Sequence, residues 1–208
     1  MLQKLFGCSL ITKLRAILLM EADLNCSTKT VFGIRMLDKA RRQNLMPEEV
    51  FSERNKMADD GTLTKVLTYD IIRQTRRSAG LASVDANNCY NRIAHAIASL
   101  VFQAFGVPLS ASEAMLTTIQ EIKIFLQTGF GDSTDFASST LLSIKTQGLC
   151  QGNSASPAGW AVVSICILSA HKKRGHGAHF TCPITKLKSH IAVIIYVDDT
   201  DLVHFRMD

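Results

Sequence analysis

The feature that most limits the folds open to this chain is a pair of adjacent aspartates set between two apolar runs. Residues 194–197 are apolar and rich in β-branched side chains, Asp198 and Asp199 follow them, and Leu202 and Val203 belong to a second apolar run. This pattern predicts a β-hairpin whose turn carries both carboxylates. We expect the hairpin to be buried on both sides, with the two charged groups at its tip.

Two carboxylates held side by side repel each other and are costly to desolvate, so the pair predicts a bound cation. Mg²⁺ is the expected ion because it takes oxygen ligands and often uses one or two carboxylates together with substrate phosphates. If such a site exists, we expect a third carboxylate to reach it from a neighbouring strand.

Asp85 is the candidate for that third carboxylate. Residues 81–84 form a short extended run that ends at Asp85, and apolar residues at helical spacing follow from Ile93 to Ala104. An aspartate where a strand gives way to a helix is often catalytic in layered α/β structures, although it is also a common helix cap. We expect this strand to pair antiparallel with the hairpin and to bring Asp85 close to Asp198.

A glycine-rich block separates the two acidic segments. Residues 147–157 contain Gly148 and Gly152, several small hydroxyl side chains and Pro157. The glycines allow a backbone or a flat ligand to approach closely, and the proline suits the first turn of the apolar helix expected after it. Each segment taken singly has an ordinary structural explanation, whereas their order along the chain is far more specific.

In that order, the segments resemble three successive palm motifs of reverse transcriptases, in the variants closest to those of non-LTR retrotransposon polymerases. The matching residues run from Asp85 to Tyr90, over the block 147–157, and through Tyr-Val-Asp-Asp at 196–199. The resemblance extends upstream to two fingers segments, residues 14–35 and residues 46–56.

The resemblance implies an α+β fold, the right-hand palm of a polymerase, in which helices back an antiparallel sheet. It divides the chain into partial fingers at residues 1–79 and a palm at residues 80–208, cut after the Tyr-Val-Asp-Asp hairpin. The thumb has no counterpart, so we expect little or no processive synthesis from these 208 residues alone. A catalytically inactive remnant that keeps the fold, with or without nucleic-acid binding, is the alternative.

The activity implied is RNA-directed DNA polymerisation, in which a nucleotide passes from a dNTP to a primer 3′-hydroxyl by two-metal catalysis. Asp85, Asp198 and Asp199 match the catalytic acids that hold two Mg²⁺ ions, and Mn²⁺ could replace them. The implied partners are an RNA template, a DNA primer and the dNTP. An RNA-templated RNA polymerase is disfavoured, because such enzymes lack an aromatic residue at the position of Tyr90.

Three further residues match nucleotide-binding positions of the family. Tyr90 matches the aromatic residue that crowds the sugar 2′ position, Gln151 a polar residue against the incoming nucleotide, and Arg15 a fingers arginine near the triphosphate. Three departures from the family pattern leave the metal ligands intact: Ala16 and Cys150 stand where prolines are usual, and Asn91 stands where an aspartate is common.

Composition agrees with this interpretation without deciding it. The 23 Lys and Arg residues exceed the 18 acidic residues, a mild excess that suits a nucleic-acid partner. The six cysteines show no paired spacing, which favours an intracellular protein, cytoplasmic or nuclear, over a secreted one. His171, His176, His179 and Cys182 lie close in sequence, but their loose spacing argues against zinc. No segment predicts a membrane span.

Overall fold

The computed structural model describes residues 17–142 and 146–205 in full and residues 2–3 and 14–15 by backbone alone. In these ranges the α-helices are α1 (Ala22–Thr28), α2 (Leu37–Arg42), α3 (Ala58–Thr75), α4 (His95–Ala104), α5 (Leu109–Glu121), α6 (Ser139–Leu142) and α7 (Ser156–Lys173). The strands are β1 (Leu2–Gln3), β2 (Leu14–Arg15), β3 (Ala79–Asp85), β4 (Ile124–Thr128), β5 (Gly131–Ala137), β6 (Ala178–Thr181), β7 (Lys188–Ile191), β8 (Val193–Tyr196) and β9 (Asp199–Phe205). A π-helical stretch, Lys29–Met36, joins α1 to α2.

The chain forms two compact units, each assembled from two separate stretches of sequence. The first unit comprises residues 1–40 and 90–160, and the second comprises residues 41–89 and 161–208. The expected division into fingers at 1–79 and palm at 80–208 stays a prediction.

The first unit is mainly helical and is held together by aromatic and aliphatic side chains. The ring of Phe32 packs against that of Phe102 on α4, with 5.0 Å between their centroids. Ile119 of α5 is fully buried, as is Phe102. Strands β4 and β5 form a separate antiparallel hairpin in this unit.

The second unit is built on a three-stranded antiparallel sheet with the order β3-β9-β8. Side chains alternate between the two faces of a strand, so each face can pack on its own helix. On one face, Leu168 of α7 joins a buried cluster with Val193 and Ile195 of β8. On the other face, Ile72 of α3 packs against a cluster that contains Val203 and Phe205 of β9.

The main secondary-structure predictions around the acidic segments are confirmed. The strand that ends at Asp85, the hairpin around Asp198 and the helix that holds Pro157 in its first turn are all present. One detail is wrong: Asp199 is the first residue of β9, and the two turn residues are Val197 and Asp198. In the described part of the chain, no helix is both long and apolar enough to span a membrane.

Candidate active site

The register of the sheet places two of the predicted acids directly opposite each other. Asp85, the last residue of β3, pairs with Asp199, the first residue of β9, whereas Asp198 was the acid expected to face it. Opposed residues of an antiparallel pair point to the same face, with Cβ atoms about 4.5–5.5 Å apart. Asp198 adjoins this pair in the turn, where its carbonyl oxygen accepts a hydrogen bond of 3.3 Å from the backbone N–H of Ala86.

The turn that carries Asp198 has an unusual backbone. Val197, its first residue, has a φ of 55°, a left-handed conformation that is rare for a β-branched side chain. Two-residue hairpin turns often need a positive φ at this position, which normally selects glycine. A residue held this way costs about 1–3 kcal/mol and persists where the surrounding structure fixes it, commonly at functional sites.

The predicted burial of the hairpin carboxylates is wrong for Asp199, which is exposed, whereas Asp198 is partly buried. Val193, Ile194 and Ile195 of β8 are buried, but Asp85 is exposed, as is most of β3. Desolvation therefore does not demand a cation here. Repulsion between like charges on opposed residues remains, since such pairs are destabilising in a sheet.

The opposed acids line a groove in the second unit, which we call the acidic groove. It has a volume of about 460 Å³ and lies between the first half of α3 and the sheet, with Lys65, Asp85, Tyr196, Asp199 and Asp201 in its lining. The sheet residues among these share one face, because Tyr196 and Asp85 both pair with Asp199, and Asp201 follows two residues later. We call this the acidic face.

A polar network beside the acids was not predicted from the sequence. Lys65 of α3 places its Nζ 2.9 Å from Oδ1 and 2.8 Å from Oδ2 of Asp201. The hydroxyl of Ser83, which is opposite Asp201 in the register, donates a short hydrogen bond to the same carboxylate. The alternation Asp199-x-Asp201 could have revealed the second acid of the face, but nothing in the sequence connects Lys65 with a residue 136 positions away.

The donor set of the acidic face fits a hard divalent cation. In residues 17–142 and 146–205, no group of three or more His, Cys, Asp or Glu side chains is already arranged to hold a metal ion. Mg²⁺ does not require such a cage, because it keeps several waters and commonly takes only one or two carboxylates together with substrate phosphates. The opposed Asp85 and Asp199 supply that number of carboxylates.

The other predicted site residues belong to the first unit. The backbone N–H of Leu149 donates to the carbonyl of Tyr90 at 2.7 Å, and the N–H of Gln151 donates to Oδ1 of Asn91 at 3.1 Å. The structure therefore joins Tyr90 to the glycine-rich block. Gln151 and Asn91 line an apolar cavity of about 520 Å³ that includes Phe125. That Tyr90 and Gln151 share a cleft with the acids stays a prediction, and the side chain of Arg15 lies outside the described residues.

Cys150 illustrates how one departure from the family pattern matches the local backbone. Its φ is 65°, whereas a proline ring fixes φ near −65°. A proline at this position would therefore be incompatible with the conformation found. The thiol is largely enclosed, and burial raises the pKa of Cys150 above its ordinary value.

Five histidines gather in the second unit at the end of the sheet away from the acids. The rings of His179 and His190 stack with 4.0 Å between centroids, and Nδ1 of His176 lies 3.0 Å from Nδ1 of His204, with His171 beside them. Partial desolvation, followed by the neighbouring cationic groups, lowers the pKa of His176, and desolvation followed by His190 lowers the pKa of His179. The expectation against zinc stays a prediction.

Comparison with known proteins gives similarity at the level of structure. No protein-family model matches the sequence, and no curated protein matches it. Telomerase from Candida tropicalis, in complex with a TWJ fragment of telomeric RNA, superposes with a TM-score of 0.53 over 87% of this chain at 12% identity. The apo C. tropicalis enzyme truncated from its C-terminal domain gives 0.51 over 86% at 13% identity, and Candida albicans telomerase with the same kind of RNA fragment gives 0.50 over 84% at 10% identity.

The chain has a reverse-transcriptase-like fold. It spans 29%, 34% and 30% of the three telomerase chains, in the order given above. At this identity the likeness is one of fold alone.

Proposed function

We propose that this chain carries out RNA-directed DNA synthesis, transferring a nucleotide from a dNTP to the 3′-hydroxyl of a DNA primer on an RNA template. One observation carries the proposal: in a reverse-transcriptase-like fold, Asp85 is opposite Asp199 and Asp198 lies in the adjoining turn. These are the three aspartates that match the metal ligands of the family. The palm assignment and an origin in a non-LTR retroelement belong to the same proposal.

Each part of the acidic site has a role in this reaction. Asp85, Asp198 and Asp199 would hold Mg²⁺ through carboxylate oxygens, the ligands that this ion prefers. The bound cations would lower the pKa of the primer hydroxyl and neutralise charge on the triphosphate. The chain itself contributes mainly alignment and electrostatic stabilisation, which dominate catalysis in phosphoryl transfer.

The first unit would supply the nucleotide contacts. We assign Tyr90 to the sugar 2′ position, Gln151 to the incoming nucleotide and Arg15 to the triphosphate. Support for the first two comes from the hydrogen bonds that tie residues 90–91 to the glycine-rich block. Tyr90→Ala should relax discrimination against ribonucleotides, whereas Tyr90→Phe should keep it; unchanged discrimination in both variants would place sugar selection elsewhere.

The activity can be tested by single-nucleotide addition with the 208-residue chain in excess over a DNA primer annealed to an RNA template. One addition per primer is the readout, because it reports nucleotide transfer without requiring processive synthesis. We expect addition that requires Mg²⁺ or Mn²⁺ and disappears in Asp198→Ala. Addition that persists in Asp198→Ala would contradict the assignment of Asp198 to the metal site.

The second candidate is an inactive remnant that keeps the fold. It predicts that the chain binds an RNA–DNA duplex but adds no nucleotide at any divalent-cation concentration. Equilibrium binding of the same primer–template, measured beside the addition assay, separates the two candidates.

A further inference from the structure

The acidic face carries a charge pattern that the proposed chemistry does not use. Asp85, Asp199 and Asp201 share the face, but only Asp201 is held by a cation, the ammonium group of Lys65, among the ion pairs of the described residues. Asp201 is also the most enclosed of the three, with 15% of its side chain exposed. The Lys65–Asp201 ion pair therefore distinguishes Asp201 from Asp85 and Asp199, which have no ion-pair partner among the described residues.

We propose that Lys65 is a positioning residue: by holding Asp201 in an ion pair, it keeps that carboxylate out of the cation site and sets the affinity of Asp85 and Asp199 for a divalent cation. This inference rests on the proposed function, since it concerns the same cation site.

The contacts around the carboxylate of Asp201 hold the Lys65–Asp201 ion pair in one arrangement. Lys65 contacts both oxygens of Asp201, and its Nζ also lies 3.5 Å from the hydroxyl of Ser83. Ser83 donates to Asp201 as well. Two elements, α3 and β3, thus hold the Asp201 carboxylate, which restricts its reach towards the neighbouring acids.

The pair is also close enough to the acids to act on them electrostatically. Asp199 and Asp201 are two residues apart on one strand, a separation of about 7 Å. The hydrogen bond to Asp201 raises the pKa of Lys65, and the charge of Asp199 adds to this effect, so Lys65 stays protonated near neutral pH. With Lys65 present the Lys65–Asp201 pair is neutral as a whole; without it, a full negative charge remains beside the cation site.

This arrangement predicts opposite effects for the two members of the pair. Removing the charge of Lys65 should tighten divalent-cation binding about five- to tenfold, and removing the charge of Asp201 should weaken it by a similar factor. The double variant restores neutrality, so its affinity should return to within about twofold of the unmodified chain. A merely structural role for the pair would weaken binding in all three variants.

The experiment is a titration of the 208-residue chain with Mn²⁺, followed by electron paramagnetic resonance of the free ion, with Mg²⁺ as competitor and ionic strength held constant. The variants are Lys65→Met, Asp201→Asn and their combination, with Lys65→Gln as a second neutral variant that retains a hydrogen-bond donor. Lys65→Arg, which keeps the charge, and Lys188→Met, which changes a lysine of β7 outside the groove lining, should both bind as the unmodified chain does. Urea unfolding of each variant verifies that it is folded.

The outcomes separate this inference from the proposed function. If Asp85→Asn removes Mn²⁺ binding but neither neutral variant of Lys65 tightens it, the inference is overturned and the cation site stands. If no variant binds Mn²⁺, both are overturned. Binding that appears only when Lys65 is neutralised would support the inference, because the Lys65–Asp201 pair would then be what prevents the cation from binding.

Discussion

The glycine-rich block of the first unit and the acidic hairpin of the second unit are both turns that carry polar side chains, but their polar groups are used in opposite ways. In residues 147–157, Asn153 is buried and its Oδ1 accepts hydrogen bonds from Ala155 N–H at 2.9 Å and from the hydroxyl of Thr28 at 3.2 Å. At the acidic hairpin, two exposed carboxylates stand opposite each other.

This difference indicates where chemistry should be sought. In the block, Oδ1 of Asn153 is held by two donors of the same unit, whereas its Nδ2 is buried without a hydrogen-bond partner among the described residues. Substitutions there should therefore affect folding before anything else. Like charges on opposed strand residues oppose folding, and they are retained at the hairpin without a compensating partner for Asp85 or Asp199 among the ion pairs of the described residues. Groups whose interactions lie outside the chain are the better candidates for function.

The largest expected effect is on activity at the hairpin. Asp198→Ala should reduce single-nucleotide addition at least about a thousandfold, as loss of a central catalytic group commonly does. Its free energy of unfolding should change by no more than about 0.5 kcal/mol, since the side chain lies on a turn. Asp135→Asn, an exposed acid of β5, serves as the control and should leave both quantities unchanged. A large loss of stability in Asp198→Ala would mean that this side chain serves folding, as those of the glycine-rich block do, and would contradict the comparison.

The next effect is on stability at the block. Gly148 has a φ of 81°, and a Cβ added there would collide with the backbone of Tyr90 and Asn91. Gly148→Ala should therefore lower the free energy of unfolding by about 3 kcal/mol, from backbone strain and steric overlap together. Gly175 is the matched control, because its φ is 77° and an added Cβ meets nothing within 4 Å.

In Gly175→Ala only the backbone strain remains, so we expect a loss of about 1 kcal/mol. Urea unfolding of both variants measures the difference. Equal losses would mean that close packing at residues 148 and 90–91 contributes nothing, and that the block is less rigid than its hydrogen bonds indicate.

A smaller effect should follow from the buried amide of the block. Asn153→Ala leaves the N–H of Ala155 without its acceptor, while the hydroxyl of Thr28 keeps the carbonyl of Asn25 at 3.1 Å. The change should cost about 1–2 kcal/mol of unfolding free energy. Asn87→Ala, at an exposed position beside the acidic site, should cost less than about 0.5 kcal/mol. A similar loss in both variants would mean that the hydrogen bonds to Oδ1 of Asn153 contribute nothing to folding.

Much of this contrast could be predicted from the sequence, but not all of it. The strand ending at Asp85 and the hairpin around Asp198 follow from local patterns of apolar residues, which is why both were predicted at the right positions. The exposure of Asp199 was missed because the apolar runs that flank a hairpin turn do not show which side chains at its tip reach solvent. Lys65 was missed for a related reason, since its partner Asp201 is distant in sequence and only the packing of α3 brings them together.

The smallest expected effect is on the pH dependence of stability, and it concerns the histidine cluster of the second unit. His179 and His190 are opposed on β6 and β7 and stack on each other, and desolvation together with His190 lowers the pKa of His179. A histidine whose folded pKa is lowered binds fewer protons in the folded state than in the unfolded state. Its contribution to stability is therefore fully present above the ordinary pKa of about 6.5 and is lost as the pH falls through the lowered value.

The effect should be modest because the pair is mostly exposed. Carboxylates also titrate towards pH 5, so the measurement must be a difference between variants. Urea unfolding at several values between pH 7.5 and 5 should give a steeper decline for the unmodified chain than for His179→Gln, because the variant cannot place two imidazolium charges on facing rings. His95→Gln, a change in the first unit, should retain the steeper decline. If His179→Gln and the unmodified chain decline in parallel, the stacked pair does not couple protonation to folding.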